Sequence, residues 1–277
     1  MQPINALSLA PDGNDWLANS RRPRILHVFD HACNLINERR RILSIVTLQI
    51  GNGPFNLVLE DDVSFFDHLN AQSSISICAN QLILDDLTIN TKGGKLWSPC
   101  PDWEMLHTNR DNILSYILSL RGVPFAMALP FTNYQSLISN LSTALAVADI
   151  SSSLTITSQL AGLGIGLTPS GDDFILGAIL AAWIIHPTRV ARVLAEETAN
   201  TAAPLTTSLS AAWLRSAGRG EAGILWHNFF NALIIGNSSA IQLQITKLLS
   251  MGHTSGADAL AGFMGVFISF KENIINP

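Results

Sequence analysis

Between Arg24 and Phe131 the apolar positions come in short β-branched and aliphatic runs, at residues 42–50, 55–59, 75–78 and 82–89. Runs of that length suit strands. Gly51-Asn52-Gly53-Pro54 and Lys92-Gly93-Gly94 interrupt them with residues that favour turns, and the first is read as a hairpin turn. The stretch 111–120 departs from this pattern, because Ile113, Leu114, Ile117, Leu118 and Leu120 share one face at helical spacing.

From Asn133 onward the period changes to that of a helix, in segments rich in Ala, Leu, Ile and Ser that are separated by Gly, Pro and Ser/Thr boundaries. The predicted helices are 134–149, 172–185, 188–202, 207–217, 222–235, 238–250 and a last one at 257–271. The apolar run 174–185 stops at His186-Pro187, far short of the roughly 20 residues that span a bilayer, so it reads as a buried core helix. Abundant Ala and Gly predict close approach between helices. The fold class is α+β, with a β-rich N-terminal part (1–131) packed against an α-helical C-terminal part (132–277).

Composition narrows the class of protein. The 277 residues are 48% hydrophobic and only 13% charged, with a formal net charge of -5. That balance points away from nucleic acid, which needs many cationic contacts to phosphate. Arg21-Arg22-Pro23-Arg24 and Arg39-Arg40-Arg41 are short and read as solvated turns or edges, as does the acidic Glu60-Asp61-Asp62 at a strand end. Cys33, Cys78 and Cys100 form neither a CxxC pair nor an even set, which fits a reducing cytoplasm. The N-terminal residues lack a signal-peptide pattern, and no membrane association is expected.

Two segments carry the candidate chemistry. Ser170-Gly171-Asp172-Asp173-Phe174-Ile175-Leu176-Gly177 and Ser255-Gly256-Ala257-Asp258-Ala259-Leu260-Ala261-Gly262 both read Ser-Gly-x-Asp-x-x-x-Gly. Each has the look of a helix start, with a hydroxyl at the N-cap and an acid placed to reach back to it. Capping alone accounts for Ser170, Asp172, Asp173, Ser255 and Asp258. It does not account for four glycines within the ten residues 162–171, which let backbone N–H groups crowd toward a ligand.

The missing residues exclude nucleotides. Leu167 stands where a dinucleotide fingerprint needs its third glycine, and Gly171 is followed by Asp172-Asp173 where a phosphate loop needs Lys-Ser/Thr. No Gly-x-Ser-x-Gly or His-Glu-x-x-His motif occurs. Helix N-termini and hydroxyls favour a small phosphate or carboxylate, whereas Asp172, Asp173 and Asp258 would repel one unless turned away, protonated or shared with a cation; a Mg²⁺-type oxygen site is one variant. His253 precedes the second loop as a candidate acid/base or donor, and Thr206, Thr207 and Ser210 open a third helix after Pro204. Gly51 to Pro54 is a weaker candidate for lining the same site.

Gly164 to Asp173, Thr206-Thr207 with Ser210, and Gly252-His253-Thr254-Ser255-Gly256-Ala257-Asp258 together resemble a bacterial family long described as a domain of unknown function. That family includes the AllH-type subunit of oxamate carbamoyltransferase. The likeness is densest from about residue 160 to 265 and extends thinly through Gly51-x-Gly53-Pro54. It implies transfer of a carbamoyl group between carbamoyl phosphate and oxamate, giving oxalurate and phosphate, in anaerobic allantoin and purine catabolism. It also implies work alongside two other subunits, with no required cofactor.

On that implied chemistry, His253 is a candidate donor to the developing oxyanion, and Asp173 or Asp258 accepts the amide proton. Gly166, Thr168, Ser170, Gly171, Asp172, Thr206, Thr207, Ser210, Thr254, Ser255 and Gly256 are the candidate substrate-binding residues. The Ser-x-Arg-Thr motif of the aspartate and ornithine enzymes is absent, so their mechanism does not transfer. Two other readings remain: an anion-binding or assembly subunit without its own chemistry, and a metal-dependent enzyme using Asp172, Asp173 and Asp258 on a small phosphorylated or carboxylated substrate.

Overall fold

The structure, a computed structural model, describes residues 3–119 and 131–275. Leu120, predicted on the apolar face of the 111–120 helix, lies outside the described residues, as does the end of the predicted strand region at 121–130. The fold is α+β. It divides into two compact units, Met1–Pro99 and Cys100–Pro277.

Among its described residues the first unit is a nine-stranded mixed sheet with one α-helix and a short 3-10 turn at Phe65–Asp67. Its elements are β1 (Ile4–Leu9), α1 (Pro11–Asn19), β2 (Arg24–Val28), β3 (Ala32–Ile36), β4 (Ile42–Val46), β5 (Asn56–Leu59), β6 (Ile75–Cys78), β7 (Gln81–Leu84), β8 (Leu87–Asn90) and β9 (Lys95–Leu96). The strand order is β2-β3-β4-β5-β1-β8-β7-β6, with β9 pairing on β1. Trp16, Leu35, Leu43, Ile45, Leu57 and Phe65 are among the fully buried side chains of its core.

Several expectations change here. The run 82–89 is two strands joined by a tight Asp85-Asp86 turn. Asp85 adopts φ 49°, a conformation that Asp tolerates better than most residues, and its carboxylate accepts from the backbone N–H and hydroxyl of Ser74. Gly51 to Pro54 is no hairpin turn either, because β4 and β5 run parallel. It belongs to the connection that carries the chain back to start β5, closed by a bond from Asn56 Nδ2 to the Gly51 carbonyl at 2.8 Å. β1 and α1 lie before the predicted strand region. The arginines behave as read: Arg40 is an exposed turn residue at φ 58° between β3 and β4, and Arg41 pairs with Asp12 and Asp15.

The second unit is helical: α2 (Trp103–Thr108), α3 (Arg110–Ser119), α4 (Phe131–Ala146), α5 (Ile150–Leu160), α6 (Ser170–Ile185), α7 (Thr188–Ala202), α8 (Ser208–Gly218), α9 (Ile224–Ile235), α10 (Ser238–Leu249) and α11 (Ser255–Ile275). The predicted helix at 111–120 is therefore real, but it and α2 belong to this unit, packing with α6, α9 and α11. Helix α5 went unpredicted. Its Ser- and Thr-rich sequence hides the apolar face, and its start is set by Asp149, whose carboxylate accepts from the Ser152 N–H at 3.1 Å.

Helix α6 is the axis of the unit, with every residue buried except Leu176. A helix apolar on all sides needs neighbours on all sides, and α4, α5, α7, α8, α2 and α11 supply them. The closest partner is α11. A Cβ at Gly177 would lie 1.7 Å from the Ala259 carbonyl, and one at Gly262 would lie 2.0 Å from the Phe174 carbonyl. These glycines let the two backbones touch, as the Ala/Gly content predicted. Among the described residues, no helix is long and apolar enough to cross a membrane.

Candidate functional site

The two related loops meet. Thr168 Oγ1 and Ser255 Oγ lie 2.9 Å apart, across the starts of α6 and α11. The contacts climb the two helices together, from Thr168 and Ser255 to Phe174 and Gly177 against Gly262 and Ala259. The helices therefore run side by side with their N-termini at the same end. When Ser170 is matched with Ser255, the Gly177–Ala259 contact maps onto the Gly262–Phe174 contact, so the shared Ser-Gly-x-Asp-x-x-x-Gly pattern is a local two-fold in space.

The helix starts differ from the capping prediction. Pro169 is the N-cap of α6 and no side chain caps it; Ser170 is already its first helical residue. Ser255 likewise begins α11 and spends its hydroxyl on Thr168. Several first-turn N–H groups are also engaged: Gly171 donates to Leu163 O, Asp172 and Asp173 to Pro169 O, Gly256 to Met251 O and Asp258 to Thr254 O. Gly171 and Gly256 are thus needed for tight turns, with a Cβ on either falling about 2 Å from the carbonyl of Leu160 or Leu248.

Free donors lie in the preceding loop instead. Among the described residues, the backbone N–H groups from Gly164 to Thr168 donate no hydrogen bond. Gly164 at φ 119° and Gly166 at φ 98° let the chain turn there, leaving Gly166 exposed and Ile165 93% exposed. Successive unpaired N–H groups of this kind form an anion-binding concavity.

Asp172 and Asp173 are adjacent yet do different things. Asp172, 1% exposed, accepts from the Gly162 N–H at 2.8 Å, from Ser210 Oγ at 2.8 Å and from Thr206 Oγ1. Burial raises its pKa, and the bonds from Thr206, Gly162 and Ser210 oppose that rise. Thr207 adds a second tie: its hydroxyl donates to Leu167 O and accepts from the Ser210 N–H that it caps. Thr206, Thr207 and Ser210 therefore fasten the start of α8 to the glycine loop and α6. The third helix start is thus held against the start of α6, with Asp172 as the clamp between them. Asp172→Ala leaves three donors without their acceptor, Ser210 buried and Gly162 and Thr206 half-buried, and a buried donor left unsatisfied costs about 1–3 kcal/mol. We expect a loss of about 2–4 kcal/mol in urea denaturation, with faster amide exchange at residues 162–168; unchanged exchange there would refute the clamp.

Asp173 faces the other way, toward α11. Its carboxyl lies beside the hydroxyls of Ser255 and Thr168, yet it is only 8% exposed and its Oδ2 has no partner. Burial pushes its pKa up to about 7, helped by the charges of Asp258 and Asp172 and opposed by the hydroxyls of Ser255 and Thr168. Asp258, from the equivalent position of α11, is fully buried. Around pH 7 the Asp173 carboxyl is divided between acid and anion, the condition suited to proton transfer in either direction.

His253 is exposed in the turn before α11, where Gly252 holds φ 62°, and Thr254 is half-buried beside it. Among the described residues, no group of three or more His, Cys, Asp or Glu side chains is arranged to hold a metal ion; both oxygens of Asp172 are already committed. The residues that sequence reasoning left without a role are Gly177 and Gly262, whose place in the repeated pattern was the available signal.

A family model described as oxamate carbamoyltransferase subunit AllH matches residues 160–267, which contain both loops and the α8 start. A second, described as the AllH family N-terminal domain, matches residues 5–96, the strand-bearing stretch. No solved structure matches the chain.

Proposed function

The chain belongs to the AllH family of oxamate carbamoyltransferase subunits, and we propose that its paired helix starts form part of the carbamoyl-transfer site, completed by partner subunits. The observation that carries this reading is the buried, unpartnered Asp173 Oδ2 beside the Thr168–Ser255 bond. In the proposed reaction the amide nitrogen of oxamate attacks the carbamoyl carbon of carbamoyl phosphate. The C–N bond forms, the C–O bond to phosphate breaks with its electron pair, and one amide proton passes to Asp173.

In the opposite direction phosphate attacks the carbamoyl carbon of oxalurate, and Asp173 returns the proton to the departing oxamate nitrogen. A carboxyl near pKa 7 serves both directions with little thermodynamic penalty. The Gly164–Thr168 N–H groups would hold an anionic end of the substrate, Thr168 and Ser255 would orient Asp173, and His253 would close over the bound group as a donor. Gly166, Ser170, Thr254 and Asp258 line the same region, while Asp172, Thr206, Thr207, Ser210, Gly171 and Gly256 build its walls. Function in the cytoplasm, in the breakdown of allantoin-derived oxalurate, follows from the same reading.

The test is Thr168→Val in the enzyme reconstituted with its partner subunits. It keeps the side-chain volume and removes the hydroxyl that touches Ser255. A fall in kcat of about tenfold, in line with losing one orienting hydrogen bond, with the complex still assembled, is expected. Unchanged kcat with altered assembly or saturation alone would favour a regulatory subunit.

A further inference from the structure

We infer that Ser170 is a ligand-contacting residue whose hydroxyl and backbone N–H, with the Gly164 turn beside them, hold a terminal oxyanion, carboxylate or phosphate, at the start of α6. This rests on the carbamoyl-transfer reading for the candidate anions and names the side chain that touches one of them.

The two serines of the repeated pattern share a setting and differ in use. Ser255 opens α11 beside Gly252, where an added Cβ would lie 3.2 Å from Ser255 Oγ, and its hydroxyl is taken up by Thr168. Ser170 opens α6 beside Gly164, where an added Cβ would lie 2.7 Å from the Ser170 nitrogen and 3.4 Å from its Cβ. Ser170 is only 4% exposed, and a hydroxyl so buried ordinarily has a partner. Among the described residues, however, neither its hydroxyl nor its backbone N–H makes a hydrogen bond. Its Oγ still meets solvent, unlike the sealed Oδ2 of Asp173.

Two donors on one residue, without an acceptor of their own, call for a ligand that brings oxygens. They stand at the positive end of a 16-residue helix, against a loop whose N–H groups from Gly164 to Thr168 are also unused. The bare Gly164 keeps the approach open, since any side chain there would cover the Ser170 N–H. The neighbouring Asp172 carboxylate is turned toward α8 and taken up by Gly162, Thr206 and Ser210. Residues 150–171 contain no charged side chain, so these donors are neutral and a single hydroxyl carries a large share of the recognition.

Calorimetry of the reconstituted enzyme with inorganic phosphate and, separately, with oxamate tests this. Ser170→Ala should weaken binding of at least one of the two tenfold or more, the effect of losing one hydrogen bond to a charged ligand. Loss with oxamate assigns a carboxylate to Ser170; loss with phosphate assigns a phosphate. The urea midpoint should not fall, because the hydroxyl has no partner inside the chain. Affinities within twofold of the parent would overturn the inference and leave carbamoyl transfer standing. A loss of affinity that comes with a lower midpoint would also overturn it, because the hydroxyl would then serve the fold. A parent complex that binds neither anion would overturn both readings.

Discussion

Asp173→Asn is expected to lower the kcat of oxalurate phosphorolysis by roughly 10²- to 10⁴-fold, the usual contribution of a positioned proton carrier, while making the folded chain more stable at pH 8. The two effects have one cause. Burial raises the Asp173 pKa from 3.8 to about 7, so the folded chain holds a proton that the unfolded chain has released across that interval. Stability from the protonated carboxyl is complete below about pH 4 and declines as pH rises to about 7, by about 1.4 kcal/mol per pH unit and about 4 kcal/mol in all. Asparagine has the same shape and nothing to ionise. Urea denaturation at several pH values should show the variant overtaking the parent as pH increases, with the gap levelling off above 7. A parent that gains on the variant at high pH would mean the carboxylate is stabilised by a partner, contrary to the unpartnered Oδ2.

Gly177→Ala and Gly262→Ala should be among the most damaging single-methyl changes in the helical unit, as should Gly171→Ala and Gly256→Ala. At Gly177 and Gly262 the added Cβ would lie 1.7 Å or 2.0 Å from a backbone carbonyl of the facing helix, and backbone cannot rotate aside as a side chain can. Overpacking typically costs 1–3 kcal/mol; here α6 and α11 must separate, so we expect more than about 3 kcal/mol and loss of turnover as Thr168 leaves Ser255. Gly166→Ala is the contrast. Open space surrounds it, and only the strain of φ 98° is left, about 1 kcal/mol. Equal urea midpoints for Gly166→Ala and Gly177→Ala would contradict the close helix crossing.

Much of this was legible in the chain. The switch from short apolar runs to helical periodicity marked the α+β division, and the repeated Ser-Gly-x-Asp-x-x-x-Gly marked two helix starts that turn out to touch. What local pattern could not reveal were partners distant in sequence. Asp172 reads as a first-turn acid beside Asp173, but its partners Gly162, Thr206 and Ser210 are brought together only by α6, α8 and the loop. Ser170 looks like an N-cap, yet Pro169 takes that place because its ring fixes φ and it has no N–H to satisfy. The Asp85-Asp86 turn hid inside an apolar run because it lacks the Asn-Gly or Asp-Gly pair by which such turns are usually recognised.

The separation of Asp172 from Asp173 also removes the conflict between acids and anion binding. One acid is consumed by the scaffold; the other waits, half-ionised near pH 7, beside a loop of free N–H groups. Determining the structure of the reconstituted enzyme with oxalurate bound tests this most directly. The account predicts oxalurate at the starts of α6 and α11, its nitrogen within about 3 Å of Asp173 Oδ2 and its carboxylate against the Gly164–Thr168 loop. Oxalurate seated wholly on another subunit, with Asp173 Oδ2 still unpartnered, would contradict it.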